Sequence, residues 1–358
     1  MEQPKMATRE EVMQALAQVM DPELGKDIVK LGMVKSVDVD GDAVRVEVQL
    51  TTPACPLKHV IRRDVEAAVK SVPGVASVTV ELGASVTSRP KEKGERLPTV
   101  RNVIAVGAGK GGVGKSTVAV NLAVALAKNG ARVGLLDADL HGPSVPMMLG
   151  LANGRVETIQ VGDQELMAPL EAHGLKFFSM GLLLGAGDAV VWRGPMLHKA
   201  ITQFLEDVYW GDLDYLVVDL PPGTGDVQIS LASLVPISSA VVVTTPQDIA
   251  FADVRRAVKM FEITKVPVMG LVENMASFSC PGCGTIHHPF GAGRVRELAE
   301  GIGLALLGEI PLDPRVSTNG DLGIPIVIAD PDGLPALALA RLAGTVAARQ
   351  SVLNMGPG

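Results

Sequence analysis

Three groups of residues in this 358-residue chain have the types and spacing to do chemistry. The first is Gly109-Lys110-Gly111-Gly112-Val113-Gly114-Lys115-Ser116-Thr117, which follows the apolar run Val103–Val106. Glycines let successive backbone N–H groups converge on phosphate oxygens, and a helix opening at Ser116 adds its positive end. Lys115 would neutralise charge on the β- and γ-phosphates of a nucleotide, and the Ser116 hydroxyl would ligate Mg²⁺. The second group is carboxylates at strand ends: Asp137 and Asp139 after Val133–Leu136, and Asp219 after Tyr215–Val218. A carboxylate at a buried strand end beside phosphates suits Mg²⁺, usually through water. Gly223 and Gly225 let the segment after Asp219 move with the terminal phosphate. The third group is Cys280-Pro281-Gly282-Cys283, whose spacing lets two thiolates point at one metal.

Each group has a plainer reading. A glycine-rich loop can be a simple turn, Lys110 a solvated loop lysine, and each acid a helix cap or surface charge. The strand–loop–helix context argues for phosphate binding. The cysteine pair supplies half of a four-ligand site. Two copies across a dimer axis would give four thiolates, enough for a [4Fe–4S] cluster. Zinc completed by His287 and His288, a redox dithiol and a pair of buried thiols are the other readings of the pair.

The elements that must position these groups follow from apolar patterning. Thr8 and Glu11 have capping-box spacing before a helix carrying Val12, Leu16 and Val19. Val34–Val39 and Val44–Leu50 alternate as a hairpin, a helix is expected over 56–71, and a strand over 75–81. Residues 84–99 are polar, charged and hold two prolines, which marks a linker. The expected domains are therefore residues 1–83, a linker at 84–99, and residues 100–358. Beyond Val100, short apolar runs alternate with helical segments, which predicts a mostly parallel, helix-covered sheet. The fold class is α/β, a P-loop NTPase with a small N-terminal α/β domain.

With these residues in view, the chain resembles a known family. GKGGVGKST, DADLHGPS (137–144), VVDLPPGTGD (217–226), TTPQ (244–247), ENM (273–275) and CPGCG (280–284) stand in the order and spacing of Mrp-type (ApbC-like) iron–sulfur cluster carrier ATPases. These belong to the MinD/ParA class, whose P-loop carries an additional lysine matching Lys110. The resemblance implies an ATP-sandwich homodimer in which Lys110 reaches the partner's nucleotide. It makes Asp139 the residue that orients the attacking water and Asp137 an assisting group near Mg²⁺. It makes Asn274, read as the end of a strand, the reader of adenine, with the Pro311-Leu312-Asp313 loop on the other side of the base. Gly109, Gly111, Gly112, Val113, Gly114 and Thr117 complete the nucleotide loop. Cys280 and Cys283 become ligands of a labile [4Fe–4S] cluster passed to apo iron–sulfur proteins, with slow ATP hydrolysis. His287 and His288 are left without a role.

Residues 8–83 resemble the small SufT/PaaD-like domain of iron–sulfur maturation factors, on Asp21-Pro22-Glu23 and on Thr51–Leu57. Cys55 there reads equally as a reactive thiol at a helix start and as a small apolar residue under a loop. Asp21 and Glu23 read equally as a helix-stop turn and as a site.

Composition bounds the partners. The chain is 47 % apolar and carries a net charge of −7, with no basic stripe, so no nucleic-acid partner is expected. A polar N-terminus and three sparse cysteines suit a cytoplasmic protein with no membrane partner. The rival function is a MinD/ParA-like positioning ATPase, which lacks a use for the cysteines and needs a basic amphipathic tail that 334–350 does not supply. A zinc- or nickel-insertion ATPase shares the fold and the bare cysteine motif.

Overall fold

The apolar runs beyond Val100 become the strands of one large sheet. In the computed structural model, residues 6–22, 25–88, 96–139, 144–183, 201–203 and 205–355 are described. Glu23, part of the 137–144 motif and part of the linker lie outside them. By compactness the chain forms two units, residues 1–88 with 347–358, and residues 89–346.

The first unit holds α1 (Arg9–Leu16), β1 (Val34–Asp40), β2 (Ala43–Leu50), α2 (Lys58–Lys70) and β3 (Ser77–Ala84). The capping box forms as its spacing predicts. Thr8 Oγ1 accepts from Glu11 N at 3.3 Å, and Glu11 Oε2 accepts from Thr8 N at 3.1 Å. β1 and β2 are antiparallel and β3 lies parallel to β2. Val46, Val48, Val65 and Leu16 are fully buried together under the helices. Fully burying each such side chain contributes about 2 kcal/mol.

The second unit continues with β4 (Val100–Gly107), α3 (Lys115–Lys128), β5 (Val133–Asp137), α4 (Val145–Met148), the hairpin β6 (Thr158–Val161) and β7 (Gln164–Met167), β8 (Leu170–Ala172) and β9 (Leu175–Ser179). Then come β10 (Leu213–Asp219), α5 (Asp226–Leu234), β11 (Ser239–Thr244), α6 (Asp248–Ile263), β12 (Val268–Ser279) and β13 (Ile286–His287). The last elements are α7 (Arg294–Gly301), β14 (Ala305–Leu312), α8 (Pro314–Asp321), α9 (Ile326–Ala329) and α10 (Leu334–Met355). The main sheet has the order β13-β12-β11-β4-β10-β5-β9-β8, with β14 also on β12. All its pairings are parallel except β12 with β13 and β8 with β9. β5, β10 and β11 are buried at every residue, so neither face needs polar residues.

One element runs past its expected end. β12 does not stop at Asn274. It continues through Ser279, so Asn274 is a mid-strand residue and the cysteines follow the strand directly. α10 extends to Met355, and its last turns bond within the first unit. Ser351 Oγ donates to Thr51 O at 3.4 Å, and Asn354 Nδ2 donates to Thr87 O at 2.9 Å. Among the described residues no helix is long and apolar enough to cross a membrane.

Candidate functional site

The central strand β4 delivers the glycine loop to the carboxyl edge of the sheet, where α3 begins. Gly112 and Gly114 take φ +79° and +80°, which a side chain would resist. Gly109 is required for a different reason: a Cβ there would strike the backbone carbonyl of Asp253. Lys115 opens α3 and is buried, as is Val113.

Parallel register sets the carboxylates side by side. Asp219 on β10 pairs with Asp137 on β5 and with Val106 on β4. Lys115 Nζ lies 2.6 Å from Asp219 Oδ1, and Ser116 Oγ donates to Asp219 Oδ2 at 2.6 Å. Lys115 Nζ is also 3.2 Å from Ser116 Oγ. Burial pushes the Asp219 carboxyl above its ordinary pKa, against the pull of Lys115. Asp137 accepts from Ser179 Oγ at 2.9 Å and from Asp139 N at 3.1 Å. Burial and the neighbouring Asp219 push Asp137 up to about 7. A cation bound nearby would favour its ionised form. Asp139 is half-buried and lines an open recess with Pro221, Pro222, Gly225 and Asp226.

A cavity of about 270 Å³ opens beside the loop, lined by Gly114, Thr117, Asn274, Met275, Pro311 and Asp313 among others. The structure thus brings together the residues expected around a base. Asn274 Nδ2 donates to Val113 O at 2.9 Å, which closes the strand against the loop. Asp313 caps α8 through Arg315 N at 2.9 Å, and the Arg315 guanidinium holds its carboxyl below the usual range. Lys110 Nζ donates to Gln247 Oε1 at 3.2 Å. Sequence reasoning quoted Gln247 but gave it no task, because the two residues are 137 positions apart.

The cysteines sit on a tight hairpin between β12 and β13. Cys280 N donates to Thr285 O at 2.9 Å and Gly284 N to Cys280 O at 2.8 Å. Thr285 Oγ1 lies 3.2 Å from Cys283 Sγ, and hydrogen bonds from Thr285 hold the Cys283 thiol below its ordinary pKa. Cys283 is exposed and Cys280 half-buried, so the buried-thiol reading does not describe them. His287 lies on β13 opposite Phe278, and His288 Nδ1 donates to Ala276 O at 3.0 Å. Among the described residues no three His, Cys, Asp or Glu are placed to hold a metal together. The two histidines are not grouped with the cysteines in this structure. In the first unit, Cys55 is buried in the core cluster, the packed alternative of its two readings. Asp21, also buried, closes a turn in which its N–H meets Lys26 O at 2.9 Å.

Comparison with known proteins shows the family. Residues 99–347 match the family described as NUBPL iron-transfer P-loop NTPase, and residues 9–82 match iron–sulfur cluster assembly proteins. The chain is 52 % identical over 344 residues to the iron–sulfur cluster carrier protein of Deinococcus radiodurans, covering 96 % of both. A nucleotide-binding protein of Archaeoglobus fulgidus, solved with ADP and described with cobalt, is 41 % identical with a TM-score of 0.58, covering 67 % of this chain and 92 % of that one. The cell-division ATPase MinD of Pyrococcus furiosus, at 21 % identity and TM-score 0.50 over 68 % of this chain and 98 % of its own, shares the fold alone. A phosphate loop, a paired strand-end carboxylate and an exposed cysteine pair, joined to this likeness over nearly the whole length, settle the family: the chain belongs to the NUBPL-type iron-transfer P-loop NTPases, among the iron–sulfur cluster carriers.

Proposed function

We propose that the chain is a slow ATPase that works as a homodimer, carries a [4Fe–4S] cluster between two copies and passes it to apo iron–sulfur proteins in the cytoplasm. One observation carries this reading: Cys280 and Cys283 stand on an exposed hairpin, with no third metal ligand beside them among the described residues. Two thiolates are half of a cluster's ligand set, and a second copy supplies the other half. Exposed ligation suits a cargo that must leave.

The nucleotide end works through charge. Lys115 exchanges Asp219 for the β- and γ-phosphates, and backbone N–H groups of residues 109–114 cradle them. Ser116 and Asp219 are hard oxygen donors that fit Mg²⁺, with Asp137 behind them as a second carboxylate. A magnesium ion held by these residues would neutralise negative charge on a nucleotide's phosphates. Asp139, at the open recess, orients the attacking water. Lys110 leaves Gln247 to meet the partner's nucleotide. Asn274, Pro311 and Asp313 bound the base.

The test is anaerobic loading with iron and sulfide, followed by spectra and iron counting. About four irons per dimer, lost in Cys283→Ala while ATP still binds, is the expected result. One zinc per chain and no iron would replace the cluster reading with metal insertion.

A further inference from the structure

β12 is a direct covalent path between the two ends of the site. Three contacts along it mark where a change at one end would reach the other. Asn274 Nδ2 is fastened to Val113 O of the phosphate loop at 2.9 Å. The next residue, Met275, takes φ +58°, in the left-handed region that L residues rarely adopt. Its side chain lines the cavity beside the loop. Pairing with β14 loses its regular register between Asn274 and Phe278, so Met275 sits in an irregularity of the strand. The following carbonyl, Ala276 O, accepts from His288 Nδ1 at 3.0 Å. His288 directly follows β13, the return strand of the cysteine hairpin. The buried carboxyl of Glu273, the residue before Asn274, lies within electrostatic reach of His288.

A residue held in the left-handed region stays there only while its surroundings over-determine it. Here the surroundings are the Asn274 anchor, the His288 anchor and the cavity. A change of register at one residue turns the side chains beyond it toward the other face of a strand. Beyond Met275 lie only four strand residues and then Cys280.

We infer that His288 is a positioning residue: through Ala276 it ties the cysteine hairpin to the irregularity at Met275, so that filling the cavity resets how Cys280 and Cys283 are presented. The inference rests on the nucleotide-and-cluster reading above. It assigns a task to a histidine that neither the phosphate site nor the thiol pair uses.

The full-length apo-protein tests it without any cluster. The peptide carrying Cys280 and Cys283 is followed by mass spectrometry during iodoacetamide alkylation, with and without saturating ADP or ATP, so Cys55 does not contribute. In the unmodified chain nucleotide should change the rate by about fivefold, the low end of common coupling between sites. In His288→Ala the ratio should fall to about one, and in His288→Asn, whose amide can reach the same carbonyl, it should persist. Met275→Gly, which removes both the side chain in the cavity and the backbone restraint, should also lose the response. An unmodified chain that binds nucleotide but shows no change in rate overturns the inference, as does a full response in His288→Ala. Direct titration of nucleotide and the iron count separate these outcomes. A chain that binds ADP and takes up iron but gives a flat alkylation ratio has lost only the inference. A chain that binds no nucleotide has lost the reading beneath it as well.

Discussion

Lys115, Ser116 and Asp219 close on one another within 3.2 Å and are buried or half-buried, whereas residues 281–289 of the cysteine hairpin are all exposed. The phosphate loop has its charges paired within one copy, Lys115 against Asp219, and on the proposed function it needs only the partner's Lys110 in addition. The hairpin is half a site. Its backbone is ordered by short-range bonds to Thr285, but its thiols meet few groups of their own chain. A ligand that is consumed and replaced in place needs the first construction. A cargo that must be released needs the second, because deep burial of the ligands would slow its departure.

The sharpest way to break this comparison is to remove one lysine and one cysteine in parallel. Lys115→Ala should lower ATP hydrolysis by about 10²-fold or more, since a preorganised charge at the phosphates is lost, and should still accept iron. Cys283→Ala should do the reverse, losing iron and keeping ATP binding. Phosphate release and iron content, measured on both variants, would show that each end can take its own ligand without the other. If both variants lose both properties, the ends are one unit and the contrast fails.

Gly109→Ala should act through packing alone. Its Cβ has no space before the Asp253 carbonyl, so the backbone must shift, at a cost of about 1–3 kcal/mol. A lowered thermal midpoint of the nucleotide-free protein is expected; an unchanged midpoint would show that the loop is softer than its contacts imply.

Thr285→Val should sharpen the other side. Without the hydroxyl the Cys283 thiol rises toward its ordinary pKa, so less thiolate is present at neutral pH. Alkylation at pH 7 should slow by about two- to threefold, and Thr285→Ser should restore it.

The smallest expected effect concerns Glu273. Burial and the nearby Glu309 raise its carboxyl above the ordinary value, and its Oε2 has no hydrogen-bond partner. The ionised form is therefore penalised in the folded state, and the penalty is absent at low pH and grows as pH rises through the raised value. Glu273→Gln should match the unmodified chain near pH 4 and exceed it in thermal stability near pH 8. A difference that is constant across that range would point to packing, not charge.

The phosphate loop was legible from sequence because its chemistry is local. Glycines, lysine and serine lie within a few positions, and an apolar strand precedes them. The carboxylates were legible for the same reason, each at the end of an apolar run. The cysteine hairpin was legible as a motif, but its attachment was not. Residues 274–279 are Asn, Met, Ala, Ser, Phe and Ser, a stretch too mixed to read as strand, so the sequence pattern ends β12 at Asn274. What keeps it extended is its pairing with β14, distant in sequence, and with β13, the two-residue return strand of the cysteine hairpin. The left-handed Met275 leaves no trace in residue type, since glycine or asparagine is the usual signal. The Lys110–Gln247 and His288–Ala276 bonds depend on side-chain placement that only the fold supplies.

The last turns of α10 have a consequence for synthesis. The small N-terminal unit leaves the ribosome first, yet Thr51 and Thr87 find their partners in Ser351 and Asn354. The whole nucleotide-binding unit must be translated in between. The contacts that the end of α10 makes with this unit therefore cannot form until translation has passed the part that binds nucleotide.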